Sequence, residues 1–325
     1  MSILSKSAVA AATLLLASFT TANAQEHVWK HGILEAKADS GIIGMVASGD
    51  FAKKHGLKVE LTQIKAGATL MKALVAGEID SVDMGAAEAI VAGARGTGVK
   101  IVGCTWPGMP QVVLAKDTIK TPAELKGHTV AISSPGSLPD LVFKGMLDAN
   151  NIPVSEVKFA TQGADLDRYK SLVAGITDAA VVSNEFVAIM PKNIHVLMSA
   201  KSTVPNFLRL CVATSSKVLA SKRDDLVKFI AAEMDAYKYA EGHKDAVVKL
   251  THEMTHAKPD DKRAAFIYDQ AIKEKQIDPA LPLPEDRIEW MENLFVKAKV
   301  IPKAVPVSQI VDPSVRADAA KIAGK

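Results

Sequence analysis

Leu74-Val75-Ala76-Gly77-Glu78-Ile79-Asp80 recurs as Leu172-Val173-Ala174-Gly175-Ile176-Thr177-Asp178, with five of seven positions identical. The correspondence runs outward without a gap. Val59 matches Val157, Leu61 matches Phe159, Lys72 matches Lys170 and Gly85 matches Ser183. Upstream, residues 32–41 and 127–136 share a shape, a short apolar run ending in Ser and Gly. Two copies of roughly 60 residues predict a pair of similar lobes, whereas a solenoid needs at least about three repeats.

Each copy reads as strand, helix, strand, helix, strand. In the first, 29–36 reads as a strand and 42–54 as a helix stopped at His55-Gly56, where glycine suits a left-handed cap. Then come a strand over 58–64, a helix over 68–76 ended by Gly77, and a buried strand over 81–84. A helix over 87–94 and a strand over 100–105 follow. The second copy has strands at 129–132, 156–160 and 179–182 around helices at 138–150 and 166–174. Alternating strands and helices build βαβ units. The predicted fold class is therefore α/β, two lobes with mostly parallel central sheets. After Pro205 one more strand, 207–213, precedes helices at 222–241, 244–255, 260–275 and 284–296; the tail from Val307 reads as polar and loosely packed.

Composition narrows the setting. Lys6, the uncharged apolar run 8–19 and Ala22-Asn23-Ala24 form the three parts of a secretory signal, predicted over 1–24 with the mature chain starting near Gln25. The apolar run is shorter than the ~20 residues a membrane span needs. The predicted location is the periplasm. The net charge of +3 and the scattering of Lys among Asp and Glu argue against a nucleic-acid partner. Cys104 and Cys211 both sit in apolar, strand-like surroundings. They read first as small buried hydrophobes, with a disulfide as the alternative that an oxidising compartment permits.

In open parallel sheets ligands bind beyond the carboxyl ends of the strands. The repeat places those ends at Asp39-Ser40-Gly41, Ala66-Gly67-Ala68-Thr69 and Gly85-Ala86-Ala87 in lobe one. In lobe two they are Ser133-Ser134-Pro135-Gly136-Ser137, Gly163-Ala164 and Ser183-Asn184-Glu185. Glycine lets backbone amides approach a ligand, and a helix N-terminus offers free N–H donors with partial positive charge. The hydroxyls of Ser40, Thr69, Ser133, Ser134 and Ser137 add donors, a chemistry suited to sulfonate, carboxylate or nitrate. Glu185 adds an acceptor that favours a donor or positive group on the ligand. Arg168 could offset it, although its place on a helix reads as exposed.

The order of residues 51–60 (Phe51 to Glu60), 74–80, Thr121-Pro122-Ala123-Glu124-Leu125-Lys126-Gly127 and 172–180 resembles the sulfonate/nitrate/taurine-type periplasmic binding proteins of ABC importers. The resemblance covers about 28–191. It implies a type II binding-protein fold, with lobe one at 25–108 and 212–325, lobe two at 109–211, and a hinge of two segments near 108–113 and 208–212. It implies that Ser40, Gly41, Gly67, Thr69, Gly85, Ser134, Gly136, Ser137 and Asn184 lie in ligand-contact loops. It also implies a monomeric carrier for a small molecule, with an inner-membrane ABC permease as partner and no cofactor. Two loops depart from the family pattern: Ser183-Asn184-Glu185-Phe186 lacks an aromatic before the acidic residue, and 38–42 lacks an aromatic-Pro pair.

His252-Glu253-Met254-Thr255-His256 spells a zinc-protease signature. The predicted helix ends almost at once before Pro259, and no third ligand follows at the expected spacing. Three classes are thus in play. A solute-binding carrier, with no catalytic residues, is expected; a zinc protease or other cleft enzyme, and a co-receptor for a membrane sensor, are the alternatives.

Overall fold

The computed structural model describes residues 27–106 and 109–324, so the signal segment predicted over 1–24 lies outside the described residues. Ten strands occur in chain order: β1 (His27–Leu34), β2 (Leu57–Ile64), β3 (Ser81–Gly85), β4 (Val99–Trp106), β5 (Gln111–Lys116), β6 (Thr129–Ile132), β7 (Lys158–Thr161), β8 (Ala179–Ser183), β9 (Ile194–Ser199) and β10 (Leu210–Ser215). They form two five-stranded sheets, ordered β2-β1-β3-β10-β4 and β7-β6-β8-β5-β9. The two orders are the same once β2, β1 and β3 are matched to β7, β6 and β8.

The offset read from the heptapeptides, 74 to 172, carries through the architecture. Helices Gly67–Ala76 and Asp165–Val173 begin at 67 and 165, and strands β3 and β8 begin at 81 and 179. The same offset aligns the ends of β1 and β6, at Leu34 and Ile132. The likeness of 32–41 to 127–136 is three residues out of step with it. Gly32 lies inside β1, whereas Gly127 sits with positive φ in the turn before β6.

Both sheets are mixed. β1 is parallel to β2 and β3, and β6 to β7 and β8. β10 is antiparallel to β3 and β4, and β5 to β8 and β9. The reversed strand of each sheet is the one that follows a crossing between lobes. A chain arriving from the other lobe enters its new sheet at the end where the parallel strands finish, so it runs back against them.

Side chains alternate through the sheets with the strand period of two. Ala179 and Val181 of β8 face a core shared by both lobes, whereas Ala180 and Val182 face a smaller core under helix Asp165–Val173. Cys211 and Ala213 of β10 face the shared core, and Leu210 and Val212 the core beneath helix Arg223–Gly242.

Several expectations are corrected. The helix read over 42–54 is three short turns, Ser40–Ile43, Gly44–Ala47 and Phe51–Lys54. Gly44 packs against Met254, and Gly49 adopts φ +72°, which ends the helical path. The tail is docked rather than loose: helix Pro313–Ala319 buries Val315 and Ala319, and Val311 bridges Ile101 of β4. Cys104 and Cys211 face each other across β4 and β10 and form a disulfide. The separate-hydrophobe reading failed because nothing local in the sequence shows that these two strands are neighbours. Arg168, read as exposed, is buried.

Candidate cleft between the lobes

Two adjoining cavities open between the lobes and share Lys37, Asp39 and Arg209. The larger, about 50 Å³, exceeds the roughly 10–15 Å³ that a single water needs. Both lie against the crossings, since Pro110, Gln111 and Arg209 contribute to their walls. Strand ends supply the rest: Ser40 beyond β1, Gly85 at the end of β3, and Ser183, Asn184 and Glu185 at the end of β8.

Charge in the cleft is paired or strained. Arg209, buried in the second crossing, forms an ion pair with Asp39 from the loop after β1. Burial pushes its guanidinium down to about 9, which leaves it charged at neutral pH. Lys37 reaches to 3.7 Å from Asp165, at the start of the facing lobe's helix. Glu185 is buried, and burial followed by the charge of Asp165 raises its carboxyl above the ordinary range.

Glu88, in the first turn of helix Ala86–Ala94, folds back over Gly85. A Cβ at Gly85 would lie 1.9 Å from its Oε2, so a larger residue there would make this carboxylate shift. Across the cleft its Oε1 accepts the N–H of Leu138, the first residue of helix Leu138–Ala149, at 3.2 Å. Burial pushes its carboxyl up to about 7 despite that hydrogen bond. Glu88 thus holds the anion position at a helix N-terminus of the opposite lobe.

The predicted loop residues are spread unevenly around this centre. Ser40, Gly85, Asn184 and Glu185 line the cavities. Ser40 Oγ also accepts the N–H of Lys37 at 2.8 Å. The N–H of Gly41 donates to Thr251 Oγ1 at 2.9 Å, and the residue faces helix Lys244–Thr255. Gly67 is half-buried beside Glu88, whereas Thr69 is exposed. Ser134 and Gly136 are exposed and Ser137 half-buried; Ser137 Oγ donates to the carbonyl of Ser134 at 2.7 Å, and Gly136 N–H donates to Asp140 Oδ2 at 2.7 Å. Arg168 donates to the carbonyls of Val181 and Gly163 and pairs with Asp165, so its donors serve lobe two itself.

Sequence reasoning missed Lys37, Glu88, Gln111 and Arg209, and placed Asp39 in a ligand loop without assigning it a role. Arg209 carried a signal, a lone charge inside the apolar run Phe207-Leu208-Arg209-Leu210-Cys211. Glu88 carried a weaker one, an acidic residue in a helix's first turn just after a glycine loop. His252 and His256 do not share a helix face: the helix ends at Thr255, His256 is left-handed with φ +52°, and His252 Nε2 meets the carbonyl of Asp261 at 3.0 Å.

Two α/β lobes of like topology, crossed twice by the chain and enclosing a polar cleft at their strand ends, define the two-lobed periplasmic-binding-protein fold. Three solved structures show the same architecture at low identity. The aliphatic sulphonate-binding protein SsuA of Escherichia coli aligns with TM-score 0.70 at 17% identity, covering 88% of this chain and 92% of its own. The nitrate-binding protein NrtA of Synechocystis PCC 6803 gives 0.72 at 13%, covering 91% and 88%. The desulfurization enzyme DSZB gives 0.65 at 13%, covering 91% and 99%. No curated protein sequence matches significantly. The NMT1/THI5-like family model matches residues 41–246, and the chain belongs to that family.

Proposed function

We propose that the protein is the periplasmic solute-binding component of an ABC importer, which captures a small ligand between its lobes and presents the closed form to a membrane permease. The lobes 25–108 with 212–325, and 109–211, are the moving bodies, and the crossings are the hinge. The observation that carries this reading is the cleft, because it draws binding groups from both lobes and abuts both crossings. A ligand touching both halves favours the closed state by its differential affinity for it. Among the described residues neither His nor Cys lines the two cavities, which supports binding over nucleophilic catalysis.

Arg209 and Lys37 suit an anionic head of the sulfonate, nitrate or carboxylate type. Asp39 Oδ1 and Glu88 Oε2 are buried acceptors without hydrogen-bond partners in the same cleft. Together these groups favour an organic anion that also carries an amine or hydroxyl donor. Thermal-shift screening tests this directly, since a ligand bound only by the folded protein raises the melting temperature by mass action. Amino- or hydroxy-substituted sulfonates and carboxylates are expected to stabilise the protein and nitrate is not, with compaction in small-angle scattering on binding. A tight ligand that produces no compaction would remove the hinge mechanism.

A further inference from the structure

Behind the cleft floor, between the lobe-one sheet and helix Arg223–Gly242, three ionisable side chains meet inside apolar core. They are His31 of β1, Asp83 of β3 and Glu233 of the helix, at 0%, 1% and 0% exposure. The strand period puts His31 on the same face as Trp29 and Ile33, and the parallel register sets Ile33 beside Asp83. His31 Nε2 lies 3.8 Å from Asp83 Oδ2 and 3.9 Å from Glu233 Oε1, too far for hydrogen bonds. Ligating atoms of all three fall within 4.8 Å of one another.

The spacing goes with a lack of partners. His31 Nε2, Asp83 Oδ1 and both carboxylate oxygens of Glu233 are buried and make no hydrogen bond. Buried polar atoms are nearly always satisfied, and an unpaired buried charge is costly. A proton shared between His31 and either carboxylate would draw the pair together to roughly 2.8 Å. These groups instead stand about as far apart as two ligands on one zinc ion, roughly 3.3–4 Å for bonds of ~2.0–2.1 Å.

Their outer contacts fit the same reading. His31 Nδ1 lies 2.8 Å from Ser81 Oγ, which also accepts Trp29 Nε1–H at 2.8 Å. The Tyr237 hydroxyl donates to Asp83 Oδ2 at 3.0 Å. Neighbours that fix the far nitrogen of a histidine and orient a carboxylate are what a metal's ligands ordinarily have. Two carboxylates and one neutral imidazole around a dication leave the buried group without net charge. Asp83 also lines the interlobe cavity, which gives an ion a route in.

We infer that His31, Asp83 and Glu233 bind a divalent transition-metal ion, with Zn²⁺ the best match to one nitrogen and two oxygen ligands. The site is distinct from the His252–His256 pair and independent of which solute occupies the cleft.

The test uses tag-free full-length protein, incubated with Zn²⁺, dialysed against metal-free buffer and analysed for metal content. The expected result is about one zinc per chain, with a melting temperature that falls when a chelator removes it. His31→Gln and Glu233→Gln should lose the retained zinc, Ser81→Ala should weaken binding ~10–100-fold, and His252→Ala should keep it. Co²⁺ provides a reading free of substitutions, as visible absorption from an ion held by protein ligands in the unaltered chain. The inference is overturned if the unaltered protein retains neither metal, or if zinc is lost in His252→Ala but kept in His31→Gln.

Discussion

Glu88 reaches across the cleft to the amide of Leu138, and its titration should make the compact form sensitive to pH. Its carboxyl sits near 4.5 when solvated and is pushed up to about 7 here by burial. The folded protein therefore holds its proton more tightly than the unfolded chain. Below about pH 4.5 both are protonated and there is no penalty; the penalty grows as pH rises and is complete above about 7. The displacement corresponds to about 3 kcal/mol. Stability should fall as pH rises across this window, and Glu88→Gln should flatten that dependence in melts taken from pH 4.5 to 8. An unchanged slope in the variant would place the cause elsewhere. Single residues were the least legible part of the sequence. Ser40, Gly85, Asn184 and Glu185 were found because their loops end repeated strands. Asp39 and Arg209 matter because they meet each other, 170 positions apart in the chain, which no local pattern encodes.

At the scale of elements, the repeat gave strands and helices that recur with one offset, and their boundaries hold to within a few residues. What it could not give were β5 and β9, which were not anticipated. β5 follows a crossing, and its residues 111–113 read as hinge rather than sheet. The broken path at 42–54 was hidden for another reason. Its helix-like spacing is real, but Gly44 answers to Met254, a neighbour contributed from the far part of the chain, and Gly49 turns the backbone with φ +72°. Gly41 shows the same dependence. A Cβ there would lie 2.0 Å from the carbonyl oxygen of Val247 and 2.4 Å from Thr251 Oγ1. Gly41→Ala should therefore force helix Lys244–Thr255 to shift and cost about 1–3 kcal/mol by overpacking. Denaturant unfolding would show this as a lower midpoint, and a neutral effect would mean that the helix can yield freely.

For the molecule as a whole, two lobes, two crossings and a C-terminal set of helices act together. Helix Arg263–Lys273 reaches the 184–189 turn of lobe two, and helix Glu285–Lys297 packs against both Gly145 and helix Ala86–Ala94. Residues beyond 212 thus contact both lobes, and their truncation would loosen more than lobe one. The Cys104–Cys211 bond joins positions 107 apart. By the chain-entropy estimate, a closed loop of that length stabilises by about 4–5 kcal/mol. The Cys104→Ala/Cys211→Ala double variant should lose stability of that order in equilibrium unfolding; a loss below ~1 kcal/mol would show that the unfolded chain is already compact without it.

That bond has a topological consequence. β4 leads out to the second lobe and β10 receives the chain on its return, so the entire 105–210 excursion is a ring clasped at its base. A protease that nicks this excursion once leaves a single covalent molecule, intact by mass until reductant is added. Lobe two is, in effect, a loop whose two covalent ends are fastened at one link.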